Sequence, residues 1–152
     1  MWSGSRVHKE DHQRSIPFNT FSKLCPPALI EQFDFHSLQK EIREEDQDHL
    51  SKFSVKTHRD DLHDFSDTAA LISEMDLVIS VDTSAVHLAG ALGNPVWVLL
   101  PFNPDFRWLT EREDSPWYPT ARLFRQSKLG DWDGVMETVR LALTQYDSLI
   151  KG

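Results

Sequence analysis

The fold class follows from one stretch, Asp76-Leu-Val-Ile-Ser-Val-Asp-Thr-Ser-Ala-Val-His-Leu-Ala-Gly-Ala-Leu-Gly-Asn-Pro-Val-Trp-Val-Leu-Leu-Pro101. This stretch has the pattern strand, turn, helix, turn, strand. Residues 77–81 are a short unbroken apolar run, which is typical of a parallel strand covered on both faces. Alanine and leucine predict a helix from about Ser84 to Leu92, and a glycine followed by a proline ends it. The apolar run at residues 96–100 predicts a second parallel strand.

Polar side chains stand where this helix begins. Asp82, Thr83 and Ser84 can accept hydrogen bonds from the free N–H groups of a first helical turn, so they are candidate caps. The same N–H groups and the helix dipole favour an anion, commonly a phosphate, which these residues and His87 would face. On the local sequence alone, a helix cap without a ligand is an equally good interpretation.

The other segments continue an alternation of strands and helices. Further strands are predicted at 33–38, 53–55 and 121–126, and further helices at 16–24, after a cap at Ser66, and after Asp131 with an apolar face of Val135, Val139, Ala142, Leu143, Tyr146 and Leu149 or Ile150. Residues 42–52 are highly charged and predict a solvated loop or a weak helix. The pattern as a whole predicts an α/β fold, a Rossmann-like three-layer arrangement with a parallel sheet and helices on both faces.

In such folds ligands bind beyond the carboxyl ends of the strands. The loops after Trp2, Leu38, Val55, Val81 and Leu100 are all expected at that edge. The first of them contains Lys9 and Arg14 with two histidines and could bind an anion, although a solvated loop fits its acidic residues as well. The long loop 102–119 is rich in proline and aromatic residues, and Arg107 and Trp108 are its candidate functional members unless its aromatics only cover the sheet edge.

Composition excludes several functional classes. The 152 residues suit one domain, and 16 basic against 24 acidic side chains give a net charge of -8, which argues against a nucleic-acid or anionic-membrane surface. The single cysteine, Cys25, excludes an internal disulfide and a cysteine-based zinc site and fits a reducing cytoplasm. We find neither a signal peptide nor a membrane-spanning run, so we expect a soluble cytoplasmic protein.

The most specific motifs together resemble a known family. They are Trp2-Ser-Gly-Ser with His8-Lys9, Arg14-Ser-Ile-Pro17, Leu38-Gln-Lys-Glu41, and the central stretch with Asp82-Thr-Ser and His87. They resemble the carboxyl-terminal, donor-binding half of GT-B type glycosyltransferases. The resemblance is strongest to the heptosyltransferase-like family (family 9-like) and to bacterial proteins in which such a domain follows tetratricopeptide repeats.

The resemblance implies a metal-independent site, without a cofactor, for a nucleotide-diphosphate sugar as substrate. Asp82, Thr83, Ser84 and the helix amino end would hold the diphosphate, with His87 in support and Arg14 nearby. Lys9 would neutralise the charge that grows on the leaving nucleotide, a role in which a fixed cation replaces a metal. Gln39 and Glu41, which follow the second strand, would contact the nucleoside. Asp64 and Phe65 would border the base.

Two departures from the family pattern limit this interpretation. Ser84 stands where the family commonly has glycine, so the phosphate would approach the backbone less closely. Met1-Trp-Ser-Gly-Ser5 reads as the end of a strand, which predicts a domain truncated at its amino-terminal strand, without the family's acceptor domain and its general base. We therefore expect the chain to bind donor weakly without completing transfer. The alternative is an inactive nucleotide-binding or protein-interaction module; an epimerase or a Rossmann dehydrogenase fits less well, the latter because no Gly-x-Gly-x-x-Gly follows a strand.

Overall fold

The computed structural model describes the backbone of residues 1–150 and the side chains of residues 1–146. The strands in this part of the chain are β1 (Phe35–Ser37), β2 (Val55–Thr57), β3 (Val78–Val81), β4 (Val96–Leu100) and β5 (Ala121–Arg125). The helices are α1 (Asp11–Arg14), α2 (Phe18–Phe21), α3 (Pro27–Ile30), α4 (Glu44–Leu50), α5 (Phe65–Ser73), α6 (Ser84–Leu92) and α7 (Trp132–Ile150). Short 3₁₀ turns lie at Ser22–Leu24 and Phe106–Trp108.

All strand pairs are parallel, which confirms the predicted α/β class. The strands form two sheets, one of β1 and β2 and one in the order β3-β4-β5, where the sequence predicted a single sheet. Met1 lies along the outer edge of β3: its amino group donates to Ile79 O at 2.7 Å, and Val81 N donates to Met1 O at 3.1 Å. This is the hydrogen-bond pattern of a parallel ladder, so the first residues extend the three-stranded sheet.

Helices cover both faces of the larger sheet. Along the fully buried β4, Trp97 and Leu99 pack in a cluster with α7, whereas Val96, Val98 and Leu100 pack with α5 and α6. Because successive strand residues point to opposite faces, this division is what a three-layer fold requires. The apolar face predicted for the last helix is buried at Val135, Val139, Ala142 and Leu143, while the side chains of Leu149 and Ile150 lie outside the described part.

Most predicted elements occur, and the errors have physical causes. The helix after β2 begins two residues earlier than predicted: Asp64, and not Ser66, is its cap, and it shares a capping box with Asp67. The charged segment 42–52 contains α4, which is anchored because Asp46 is buried and accepts from Trp2 Nε1 at 2.9 Å and from Phe18 N at 2.8 Å. The short helices α1 and α3 were not predicted.

Among the described residues, no helix is both long enough and apolar enough to cross a lipid bilayer.

Candidate functional site

A cavity of about 470 Å³ opens beyond the carboxyl ends of β3 and β4, where the first turn of α6 begins. Three segments meet there: the loop that contains α1, the turn between β3 and α6, and the loop after β4. The lining residues are His8, Glu10, Gln13, Arg14, Asp82, Thr83, Ser84, His87, Pro101, Asn103, Pro104, Asp105 and Arg107. The volume lies in the range of about 300–1,000 Å³ that small-molecule sites occupy.

The amino end of α6 lacks the side-chain cap that the sequence predicted. Thr83 is the N-cap residue, but within the described chain no side chain accepts from the first-turn N–H groups. The Thr83 hydroxyl instead lies 3.2 Å from Ser80 Oγ and donates to Met1 Sδ at 3.4 Å. The capping prediction for Asp82, Thr83 and Ser84 is therefore wrong, and the N–H groups at this helix end are left for solvent or a ligand.

Arg14 joins the first loop to the turn before α6. Its Nη1 donates to Asp82 O at 2.9 Å, and its Nε is buried without a partner in the described structure. Gly4 makes this position possible, since a Cβ there would lie 2.7 Å from Arg14 Nη2. The loop itself is braced by a largely buried ion pair, in which Arg43 Nη2 is 2.6 Å from Asp11 Oδ2. A guanidinium is thus fixed in the cavity wall beside the uncapped helix end.

His87 lies one turn into α6 and has a partner on each ring nitrogen. Nδ1 is 2.9 Å from the Tyr118 hydroxyl, and Nε2 is 3.1 Å from Arg107 Nη1. A guanidinium can only donate, so Nε2 must accept, and the proton of the neutral ring belongs on Nδ1, which donates to Tyr118. Burial lowers the pKa of His87, and the Arg107 charge lowers it further against the opposing effect of Asp82, which supports the neutral form.

Arg107 enters the cavity from the loop after β4, as one of the two functional candidates in that loop. Its Nε donates to Asp105 Oδ1 at 2.8 Å and its Nη2 to Asp105 Oδ2 at 3.2 Å. These hydrogen bonds lower the pKa of the Asp105 carboxyl and raise that of Arg107, so both remain charged. The other candidate, Trp108, is fully buried and stacks on His87 with ring centroids 5.5 Å apart.

Lys9 is placed differently from its neighbours in sequence. His8 and Glu10 line the cavity, but Lys9 is not among the lining residues that the structure describes. Its side chain is exposed, and it takes part in no hydrogen bond or ion pair with residues 1–146. The cations that the fold brings to the cavity are instead Arg14 and Arg107.

The residues predicted to bind the nucleoside lie outside this cavity. Gln39 is buried, and its amide bridges the backbone of Ser3, donating to Ser3 O at 3.0 Å and accepting from Ser3 N at 3.4 Å. Glu41 is exposed on the following turn. Asp64 Oδ1 accepts from Ser66 N at 2.7 Å and Asp67 N at 3.1 Å as the cap of α5, and Phe65 is 64% exposed beside it.

Two residues had not been singled out from the sequence: Asp105, which lines the cavity, and Tyr118, which contacts His87. Asp105 comes two residues before Arg107, a spacing too common to indicate an ion pair. A signal for Tyr118 was present at Gly90, because a glycine inside a helix costs roughly 1 kcal/mol relative to alanine and often marks a close approach. A Cβ at Gly90 would lie 2.4 Å from Tyr118 Cγ.

Residues 1–146 contain no group of three or more His, Cys, Asp or Glu side chains arranged to hold a metal ion.

Comparison with known proteins finds a family similarity that covers the turn between β3 and α6. The profile of glycosyltransferase family 9 (heptosyltransferase) matches residues 38–103, which include β3, α6 and β4. Protein FlbA of Caulobacter vibrioides is 26% identical over 148 residues, which are 96% of this chain and 24% of that protein. The chain thus spans about a quarter of the length of this curated relative. No solved structure gives a significant match. Residues 38–103 of the chain are therefore similar to glycosyltransferase family 9.

Proposed function

We propose that this glycosyltransferase family 9-like domain binds the nucleoside-diphosphate part of a nucleotide sugar, as the donor half of a sugar-transfer enzyme. The single observation that supports it most is the uncapped amino end of α6, which faces a cavity walled by Arg14 and Arg107. Free N–H groups at a helix amino end together with guanidinium groups are a suitable environment for a diphosphate.

The proposed chemistry follows from the charge on the leaving group. When the bond between the sugar carbon and the phosphate oxygen breaks, its electron pair stays on the diphosphate, while the acceptor oxygen forms the new bond and gives up its proton. The N–H groups of α6 and the guanidinium of Arg14 would stabilise this charge without a metal ion. His87 would support Arg107 and, being neutral, would not act as the acid. We assign none of the described residues to binding the acceptor or to taking its proton.

Titration calorimetry with uridine, adenosine and guanosine diphosphates and their sugar conjugates tests the proposal. We expect heat of binding for at least one base, with the diphosphate accounting for most of the affinity and the conjugate binding at the same site by competition. If none of these compounds binds the folded chain, the donor-site proposal is wrong.

A second function, as a protein-interaction module, has one observation in its favour. Four apolar side chains of the loop after β4 are exposed: Phe102 (48%), Phe106 (85%), Leu109 (44%) and Trp117 (64%). A loop that exposes several large apolar side chains can serve as an interaction surface. A variant with Phe102→Ser and Phe106→Ser, which keeps the hydrogen bond from Trp117 to Arg107, separates the two readings, because loss of the nucleotide response with these changes would assign the surface to the donor site itself.

A further inference from the structure

We propose that Tyr118 is a positioning residue of this site, which acts through His87 to hold Arg107 in the orientation that receives a diphosphate. The inference rests on the proposed donor function, since it assigns Arg107 as one of the groups that contact the anion. The inference gives the loop after β4 a role in binding the anion, and it assigns a function to Tyr118 in the Trp-Tyr-Pro sequence near the end of this loop.

The three side chains form a continuous hydrogen-bonded relay. The Tyr118 hydroxyl is 2.9 Å from His87 Nδ1, and His87 Nε2 is 3.1 Å from Arg107 Nη1. With its proton on Nδ1, the imidazole donates to Tyr118 and accepts from Arg107 at the same time. Without the Tyr118 hydroxyl, the proton on Nδ1 would lose its acceptor, and only the contact with Arg107 would favour this tautomer.

The ends of the relay are held independently. Tyr118 packs against the backbone of α6 at Gly90, where any larger residue would overlap its ring. The backbone of Arg107 is held from the other side, because Trp117 Nε1 donates to Arg107 O at 2.9 Å. The ring of His87 stacks on Trp108 and contacts the tilted ring of Tyr118, with centroids 5.5 Å and 5.7 Å away. These contacts fix a guanidinium that stands on an otherwise exposed residue.

The guanidinium keeps donors for a ligand. Asp105 binds one N–H on Nε and one on Nη2, and His87 binds one on Nη1. Each terminal nitrogen carries a second N–H, so one N–H on Nη1 and one on Nη2 remain without a partner among these contacts and are available to an anion. An arginine already held by its partners loses less conformational entropy on binding, which is the advantage that such a relay provides.

Protonation of His87 should interrupt the relay. An imidazolium has no lone pair to accept from Arg107, and Asp82 Oδ1, 3.7 Å from Nε2, would then become its partner. The charged and titratable groups around the ring are Asp82, Asp105, Arg107 and Tyr118. The relay is therefore complete only while His87 is neutral.

The decisive variant is Tyr118→Phe, which removes the hydroxyl and keeps the ring. Tyr146→Phe is the matched control, because Tyr146 is the other tyrosine of the chain and its hydroxyl also makes one hydrogen bond, to Asp76 O at 3.0 Å, away from the cavity. Inorganic pyrophosphate is the probe, and calorimetry gives its affinity. We expect Tyr118→Phe to weaken binding by about threefold to tenfold and Tyr146→Phe to leave it unchanged.

Two readouts distinguish positioning from a general loss of structure. Nitrogen NMR should show His87 protonated on Nδ1 in the unmodified chain, with a shift toward Nε2 in Tyr118→Phe. In an Arg107→Ala background, Tyr118→Phe should cause no further loss of affinity, because the residue that it positions is gone.

The outcomes separate this inference from the function on which it rests. If the unmodified chain binds neither pyrophosphate nor any nucleoside diphosphate, the donor site and the relay are both wrong. If it binds pyrophosphate but Tyr118→Phe binds equally well, or His87 carries its proton on Nε2, the relay is wrong and the donor site stands. Equal losses from Tyr118→Phe with and without Arg107 would likewise overturn the relay.

Discussion

Polar residues follow the carboxyl ends of the strands in both parallel sheets, but the two sheets differ in whether these residues are bound within the protein. Beyond β3 and β4, the first turn of α6 has no side-chain cap and faces the cavity that Arg14 and Arg107 line. Beyond β1 and β2, Gln39 is bound to Ser3, and Asp64 caps α5. The difference shows that a polar residue after a parallel strand indicates a site only when the fold does not use it internally.

The hydrogen bonds beyond β1 and β2 connect loops of the protein to one another. Gln39 ties the end of β1 to the loop that delivers Arg14, and Lys40 Nζ donates to His63 O at 2.8 Å, which joins the loops after β1 and β2. That edge therefore acts as a support for the cavity at the other edge. We expect substitutions beyond β3 and β4 to change ligand affinity and substitutions beyond β1 and β2 to change stability.

The largest effect is expected from Arg14→Gln, at the edge with the cavity. A hydrogen bond to a charged group contributes about 1.5–3 kcal/mol, so nucleoside-diphosphate affinity should fall by roughly tenfold to a hundredfold. Calorimetry measures it, with Lys40→Gln as the control that makes the same charge change at the other edge. An equal loss in both variants would show that net charge, and not the cavity, governs binding.

Gln39→Leu should have the next largest effect, on stability. It leaves the buried N–H and C=O of Ser3 without their partner, which costs roughly 1–3 kcal/mol in the free energy of unfolding. Urea denaturation followed by tryptophan fluorescence measures this. Unchanged stability together with lost nucleotide affinity would contradict the comparison and restore Gln39 as a ligand-contacting residue.

Asp64→Ala should lower the free energy of unfolding by about 1 kcal/mol, the typical cost of removing a helix cap. Asp64→Ser is the matched control, since serine can still accept from the first-turn N–H groups of α5 and should recover most of the loss. Nucleotide affinity should be the same in both variants. A fall in affinity without a change in stability would place Asp64 in the binding site.

The smallest effect is a pH dependence from His87. The pKa of His87 is lower in the folded chain than its ordinary value of 6.5, so the unfolded chain binds the proton more tightly. This contribution to stability is therefore complete above pH 6.5 and is lost as the pH falls below it toward the folded-state pKa. Urea denaturation from about pH 8 to about pH 5 should show the unmodified chain losing stability relative to His87→Gln. The opposite trend would mean that His87 is charged in the folded state.

The sequence could predict the elements whose pattern is strong and local. The unit from β3 to β4 was predicted nearly to the residue, because its strands are unbroken apolar runs and its helix ends at a glycine and a proline. The division into two sheets could not be predicted, since strand pairing depends on contacts distant in sequence. The sequence did not distinguish the helix α4 from a solvated loop, because the burial of Asp46 depends on Trp2 and Phe18, which are far away in the chain.

For the site, sequence reasoning identified residues but not their contacts. Arg14, Asp82, Thr83, Ser84 and His87 all line one cavity, and so does Arg107. Lys9 could not be distinguished from its neighbours, because the direction of a side chain in an irregular loop leaves no periodic signal. The contact of Tyr118 with His87 joins positions 31 residues apart and follows only from the packing of the loop on Gly90.

A nitrogen-edited NMR titration of the chain with a nucleoside diphosphate that binds it would locate the ligand. We expect saturable shifts of the backbone amides of Ser84 and Ala85, in the first turn of α6, together with the guanidinium signals of Arg14 and Arg107. Saturable shifts confined to residues 39–41 and 58–65 would contradict this expectation, because the ligand would then occupy the edge that we assign to support.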